Sequence, residues 1–201
     1  MKLSLIISAL IVCVGTTQAQ ETVPREESLK VAFAAWFSLE KIENAPFTVD
    51  ADIKVSAVLK AGERGALFIP ETKLADSLKK TGREVAPLGY LWLKGLSPVV
   101  DGKAVASNRV RTSTIKIGEH ETRLPLYMIG VRKNSQDGLE LLIHGRNREP
   151  LRAIPLKKIS TKQELPIELA VEKNDDETGA LILNIVGEYQ AQLTVARSVT
   201  E

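Results

Sequence analysis

The chain has 201 residues, with 27 Lys and Arg against 25 Asp and Glu, two histidines and one cysteine. That near balance excludes the broad basic footprint of a nucleic-acid-binding protein. Since the single cysteine, Cys13, lies in an N-terminal leader, the mature chain has no thiols, which excludes structural disulfides, zinc-thiolate sites and cysteine nucleophiles together.

The leader is read from Lys2 as a short positive region, the twelve-residue apolar run Leu3 to Val14, and Thr17-Gln18-Ala19 with small residues where a signal peptidase cleaves. A helix needs about twenty apolar residues to cross the hydrocarbon core, so this run is too short for an anchor. Val12 before Cys13 does not suit a lipidation signal. The expectation is a bacterial protein, periplasmic or secreted after cleavage at Ala19, with no transmembrane span in the mature chain. Its expected organisation is a signal peptide at 1–19, an extension at 20–28, and one β-rich domain at 29–199.

From there the chain is read in order. The stretch LKVAFAAWFSLEKI (29–42) fits both helical and strand spacing, and its aromatic and β-branched content favours a strand. After a turn at Glu43 to Pro46, apolar Phe47, Val49, Ala51, Ile53, Val55, Ala57 and Leu59 alternate with mostly polar residues, the period of one long half-buried strand. A single short helix is expected near 73–81. Thr72 would cap it, Leu74, Ala75 and Leu78 would share a face, Lys79 and Lys80 would suit its dipole, and Gly82 would end it.

Further strands are expected at Val110 to Ile117, Leu165 to Val171 and Leu181 to Ile185, on the same alternation. Turns are expected at Asp101-Gly102, Gly118-Glu119, Asp137-Gly138, Asn174 to Gly179 and Gly187-Glu188. Pro87, Pro125, Pro155 and Pro166 read as strand starts, edges or bulges, since proline donates nothing to a ladder. About nine to eleven strands fit the length. The fold class is therefore all-β and mainly antiparallel, a β-sandwich or related meander with one short helix.

Chemistry is sparse in the sequence. Glu119-His120-Glu121 lacks the H-E-x-x-H spacing and reads as a solvated hairpin tip. Asn174 to Glu177 offers oxygens but no EF-hand register. No G-x-S-x-G elbow occurs, and Gly62-Glu63-Arg64-Gly65 lacks the lysine of a phosphate loop. No catalytic residue, metal ligand or cofactor is assigned.

Two candidate binding sites emerge. Residues 103–162 carry 13 Lys and Arg against 5 Asp and Glu, whereas 163–201 carry 2 against 8. Within the basic block, His144 precedes a loop with Arg146 and Arg148 and is followed by Arg152. Guanidinium groups bind sulfate, phosphate or carboxylate with paired hydrogen bonds, so these four residues form a candidate anion site. The second candidate is Tyr90 and Trp92, two apart in LGYLWL and on one strand face, as a platform for stacking sugars. The functional expectation is an exported non-enzymatic binding or structural protein, with an anionic envelope or extracellular glycan as partner. The alternatives are a small hydrolase using two facing carboxylates and a carbohydrate-binding module.

Overall fold

The computed structural model describes residues 23–39, 42, 44–175 and 177–198. The expected leader, with Cys13 and the cleavage position, lies outside them. Among the described residues thirteen strands form two antiparallel sheets. Numbered along the chain, the first sheet runs in the order β1 (Ala57–Ala61), β2 (Arg64–Pro70), β3 (Ala86–Lys94), β7 (His120–Lys133), β8 (Leu139–His144), β9 (Pro150–Pro155), with β6 (Arg111–Ile117) also paired to β7. The second runs β11 (Ile167–Lys173), β12 (Thr178–Ile185), β13 (Tyr189–Arg197), β4 (Leu96–Val100), β5 (Lys103–Ala104), with β10 (Lys157–Lys158) on β13. Chain alternation between sheets begins at Gly95, whose φ of +64° turns β3 out of the first sheet and into β4 of the second.

The two sheets face one another across a continuous core. Phe68, Leu91, Tyr127, Ile129 and Ile143 of the first sheet join Ile167, Leu181, Leu193 and Val195 of the second. This is the sandwich that the alternating pattern predicts. Four of the five expected turns, at Asp101-Gly102, Gly118-Glu119, Asp137-Gly138 and Gly187-Glu188, join consecutive strands, and Asp101 and Asp137 take the left-handed conformation there; the fifth, at 174–179, lies between β11 and β12.

The first sheet is apolar on its outer face too. Leu67, Ile69, Tyr90, Trp92, Leu126 and Met128 are buried on the side away from the second sheet, under helix α1 (Arg25–Phe37) and the stretch 44–53. Consecutive residues of a strand face opposite ways. An unbroken buried run such as Leu88 to Leu93 in β3 therefore needs cover on both sides, and the molecule has three layers rather than two.

That third layer corrects two expectations. Residues 29–37, read as a strand, belong to α1. Its inward face is Ser28, Ala32 and Ala35, a three- to four-residue spacing of small side chains that lets the helix sit close on the sheet. Glu26 and Glu27 in the first turn favour the helix dipole, and the alanines favour helix over the strand preference of the aromatics. Phe33 and Phe37 point outward and stack, 6.4 Å between ring centres.

Phe47 to Leu59 is likewise not one strand. Ala51 makes an isolated bridge to Glu71, a 3-10 turn occupies Ile53–Val55, and β1 begins at Ala57. The Asp52 carboxylate accepts the Lys54 amide at 2.9 Å, a local bond that competes with ladder pairing. Alternation survives because the two halves serve different cores: Val49, Ala51 and Ile53 pack under α1, and Ala57 and Leu59 pack between the sheets.

The expected short helix is present as α2 (Leu74–Lys80), with Leu74 and Leu78 buried and Lys79 and Lys80 in its last turn. Lys73 rather than Thr72 occupies the cap, and the Thr72 hydroxyl instead donates to the Asp50 carbonyl at 2.8 Å. Ala75 faces solvent and Thr81 ends the helix. Pro87 sits at a register shift in β3, Pro166 precedes β11, and Pro155 closes rather than opens β9. Pro150 and Pro155 bracket β9, an edge of the first sheet, where missing amide donors discourage pairing with another chain.

Candidate anion-binding site

β7 is long enough to hold two partners end to end along one side. β6 pairs with it from His120 to Leu126 and β8 from Met128 to Lys133. The start of β6 therefore meets the end of β8. The Arg146 amide donates to the Arg109 carbonyl at 2.8 Å, clipping the two loops together. Gly145 permits this approach, since a Cβ there would lie 2.2 Å from the Arg109 carbonyl oxygen.

Register decides which side chains gather. Arg111 lies opposite Leu126 and His144 opposite Met128, and both partners belong to the outer face under α1. Arg111 and His144 are thus neighbours on that face. One amino group of Arg111 donates to the Asn44 carbonyl at 3.0 Å. Burial lowers the Arg111 pKa, and the nearby Arg146 charge lowers it further.

His144 is 2 % exposed, with Nδ1 2.8 Å from the Arg148 carbonyl oxygen. A carbonyl only accepts, so Nδ1 carries the proton and Nε2 keeps a lone pair. Nε2 has no hydrogen-bond partner among the described residues. The ring of Phe47 meets the imidazole edge-on at 5.4 Å. Burial holds the His144 pKa below its ordinary value, with Arg111 and Arg132 adding to the effect against the Arg148 bond. His144 is a neutral strut that shapes the arginine loop from behind, not an anion donor.

The four residues expected at this site are consequently divided. Arg146 and Arg148 lie exposed on the loop, and His144 is buried beneath it. Arg152 pairs with Ile143, whose side chain enters the core between the sheets, so it stands on the opposite face from His144. Arg109 and Arg111 take its place. They were hidden in the sequence because strand order, not proximity along the chain, brings them to the β8 end.

Tyr90 and Trp92 share a face as expected, with ring centres 5.9 Å apart. They are only 7 % and 1 % exposed, however, and pack in the layer beneath α1. Trp92 donates its indole N–H to the Ser113 hydroxyl at 2.7 Å. The sugar platform is thereby withdrawn: the pair is core, hidden by a helix that was read as a strand.

Carboxylates elsewhere have structural duties. Glu71 is buried and accepts the Asp50 amide at 2.7 Å, anchoring the 44–53 stretch to the end of β2. Burial raises its pKa against that hydrogen bond, and Asp50 raises it too. Glu71 in turn raises the pKa of Tyr90, after burial. Asp175 accepts the Glu177 and Thr178 amides and the Thr178 hydroxyl, holding the β11–β12 turn. These bonds, those of Thr178 first, lower its pKa. His120 opens β7 on the surface. Among the described residues no group of three His, Cys, Asp or Glu side chains is placed to hold a metal ion, and no helix is long and apolar enough to cross a membrane. No protein family, curated protein or solved structure compared with this chain matches it.

Proposed function

We propose that this chain is an exported β-sandwich protein that binds an anionic glycan of the envelope or the cell exterior through the arginine corner where β6 meets β8. The reading rests on the Arg146 amide bond to the Arg109 carbonyl, which brings Arg109, Arg111, Arg146 and Arg148 to one corner. Guanidinium groups suit sulfate and carboxylate groups on a polymer. Export is supported by the leader sequence, and a binding role by a corner built from cations around a neutral, buried histidine.

Heparin serves as the probe. Ligand at about one hundred times Kd stabilises a protein by about 2.7 kcal/mol, which raises the Tm of a domain this size by about 5–10 °C. The mature protein, residues 20–201, should show that rise and be retained on a heparin column at low salt. The double variant Arg146→Ala/Arg148→Ala should melt as the parent does without heparin and lose most of the shift. A parent melt indifferent to heparin refutes the reading.

A further inference from the structure

A depression of about 440 Å³ opens between the loop that follows α2 and the β7–β8 hairpin, lined by Arg83, Arg132, Lys133, Asn134, Ser135 and Glu140. The Lys133 amide donates to the Gly82 carbonyl at 2.6 Å, which fixes the loop against the hairpin. Asn134 folds inward, its side-chain oxygen accepting the amides of Gln136 and Gly138 at 2.9 and 3.0 Å. The Gly82–Lys133 backbone bond and the Asn134 side chain thus hold two of the walls without using Arg83 or the Lys133 ammonium.

Three cations face one carboxylate there. Glu140 receives the Arg132 Nε at 2.6 Å, leaving the two terminal amino groups of that guanidinium without a protein acceptor among the described residues. Arg83 and Lys133 have no carboxylate within ion-pair distance among the described residues. Glu140 orients one guanidinium and leaves a positive excess, the arrangement that recognises a single sulfate, phosphate or carboxylate group.

The position relative to the arginine corner follows from β8. Glu140, Leu142 and His144 alternate onto one face. Arg132 lies opposite Glu140, as Met128 lies opposite His144. Arg132 and Glu140 of the depression therefore share a face of the first sheet with Arg111 and His144 of the corner, and Glu140 and His144 stand about 14 Å apart along β8 at 3.4 Å per residue. Between them lies Phe47, half-buried, over Gly130 and His144.

We infer that the depression is a second anion site, lined by Arg83, Arg132 and Lys133, which takes one acidic group of the same glycan that the arginine corner holds. This rests on the proposed function and adds a length requirement to it. A ligand too short to bridge the two ends of β8 gains only one contact, whereas one that spans them gains an effectively intramolecular second contact.

The test compares a heparin disaccharide with a heparin octasaccharide by isothermal titration on the mature protein, on Arg83→Ala/Lys133→Ala and on Arg146→Ala/Arg148→Ala. Arg83, Arg146 and Arg148 are exposed and Lys133 is half-buried, and melting curves without ligand report whether each variant is folded. In the parent, the octasaccharide should bind at least about tenfold tighter than the disaccharide. Each double variant should lose about tenfold in octasaccharide affinity, and the advantage of length should vanish in both. Octasaccharide binding unchanged in Arg83→Ala/Lys133→Ala, with loss in the other variant, overturns the second site and leaves the arginine corner standing. No binding of either ligand to the parent overturns both.

Discussion

His144 shows how one side chain can be indispensable to a surface without facing it. Its Nδ1 proton goes to the Arg148 carbonyl, and Nε2 lies buried without a partner among the described residues. A second proton would place an N–H with no acceptor beside Phe47, with Arg111 and Arg132 repelling the charge. The unfolded chain pays no such penalty and titrates near 6.5. Stability from this residue is therefore fully present above about pH 6.5 and declines as pH falls through that value towards the lowered pKa of the folded state. His144→Asn keeps an N–H for Arg148 but cannot titrate. At pH 7.5 the variant should be about 1–3 kcal/mol less stable, having lost the ring against Phe47. Between pH 7.5 and 5.5, however, its Tm should fall less than that of the parent. Glu71, whose raised pKa works in the opposite direction, is present in both proteins and cancels. Parallel pH profiles would show that His144 does not carry this dependence. Gly89 makes a purely steric case at the same scale. Its φ is +148°, and a Cβ would lie 2.3 Å from the Ile69 carbonyl oxygen. Gly89→Ala should cost about 2–4 kcal/mol in urea unfolding, and a loss below about 1 kcal/mol would mean that β3 can shift.

At the level of elements, α1 explains most of what the sequence did and did not reveal. Alternation in β6 and β11 was legible because each has one face that meets the core and another that is more open to water, whereas Ala180 to Leu183 of β12 are buried without a break. The central strands β2, β3, β7 and β8 instead hold unbroken buried runs, and that signal already calls for cover on both faces. Reading 29–37 as a strand left Tyr90 and Trp92 with no cover, so a sugar platform followed from the same error. The misleading cue was aromatic content, since Phe33 and Phe37 lie on the solvent side and the fully covered positions of the helix are the small residues Ser28, Ala32 and Ala35. Two substitutions separate the readings. Ala35→Leu forces a larger side chain between helix and sheet at a fully buried position and should cost about 1–3 kcal/mol. Phe37→Ser, at a side chain 81 % exposed, should change stability by no more than about 0.5 kcal/mol. Thermal melts that reverse this order would put the wrong face of α1 against the sheet. The arginine corner was only half legible for a related reason: Arg146 and Arg148 share a loop, but Arg109 and Arg111 join them only through the end-to-end placement of β6 and β8 on β7.

For the whole molecule, the question is whether the helical layer is an accessory or part of the folding unit. The sandwich core alone links both sheets, which suggests that it could stand without α1. Against this, α1 packs against β6, covers the layer that contains Ile115, Trp92 and Leu126, and is tied to the rim of the sheet by Arg25, which donates to the Ser56 carbonyl at 2.7 Å and to that of Lys54. Burial of each such side chain stabilises by about 1.5–3 kcal/mol, so uncovering three of them removes an amount comparable to the 5–15 kcal/mol by which whole domains are stable. The helix therefore cannot be lost while the sheet stays folded. The protein from residue 20 to 201 should unfold in one step, with the emission of Trp36 and Trp92 and the far-ultraviolet circular dichroism changing together. A chain beginning at residue 40 should lack a cooperative melt and bind a hydrophobic dye. If that shortened chain melts cooperatively as a monomer, the core between the sheets is sufficient by itself, and α1 is a removable cover over an apolar face rather than a third structural layer.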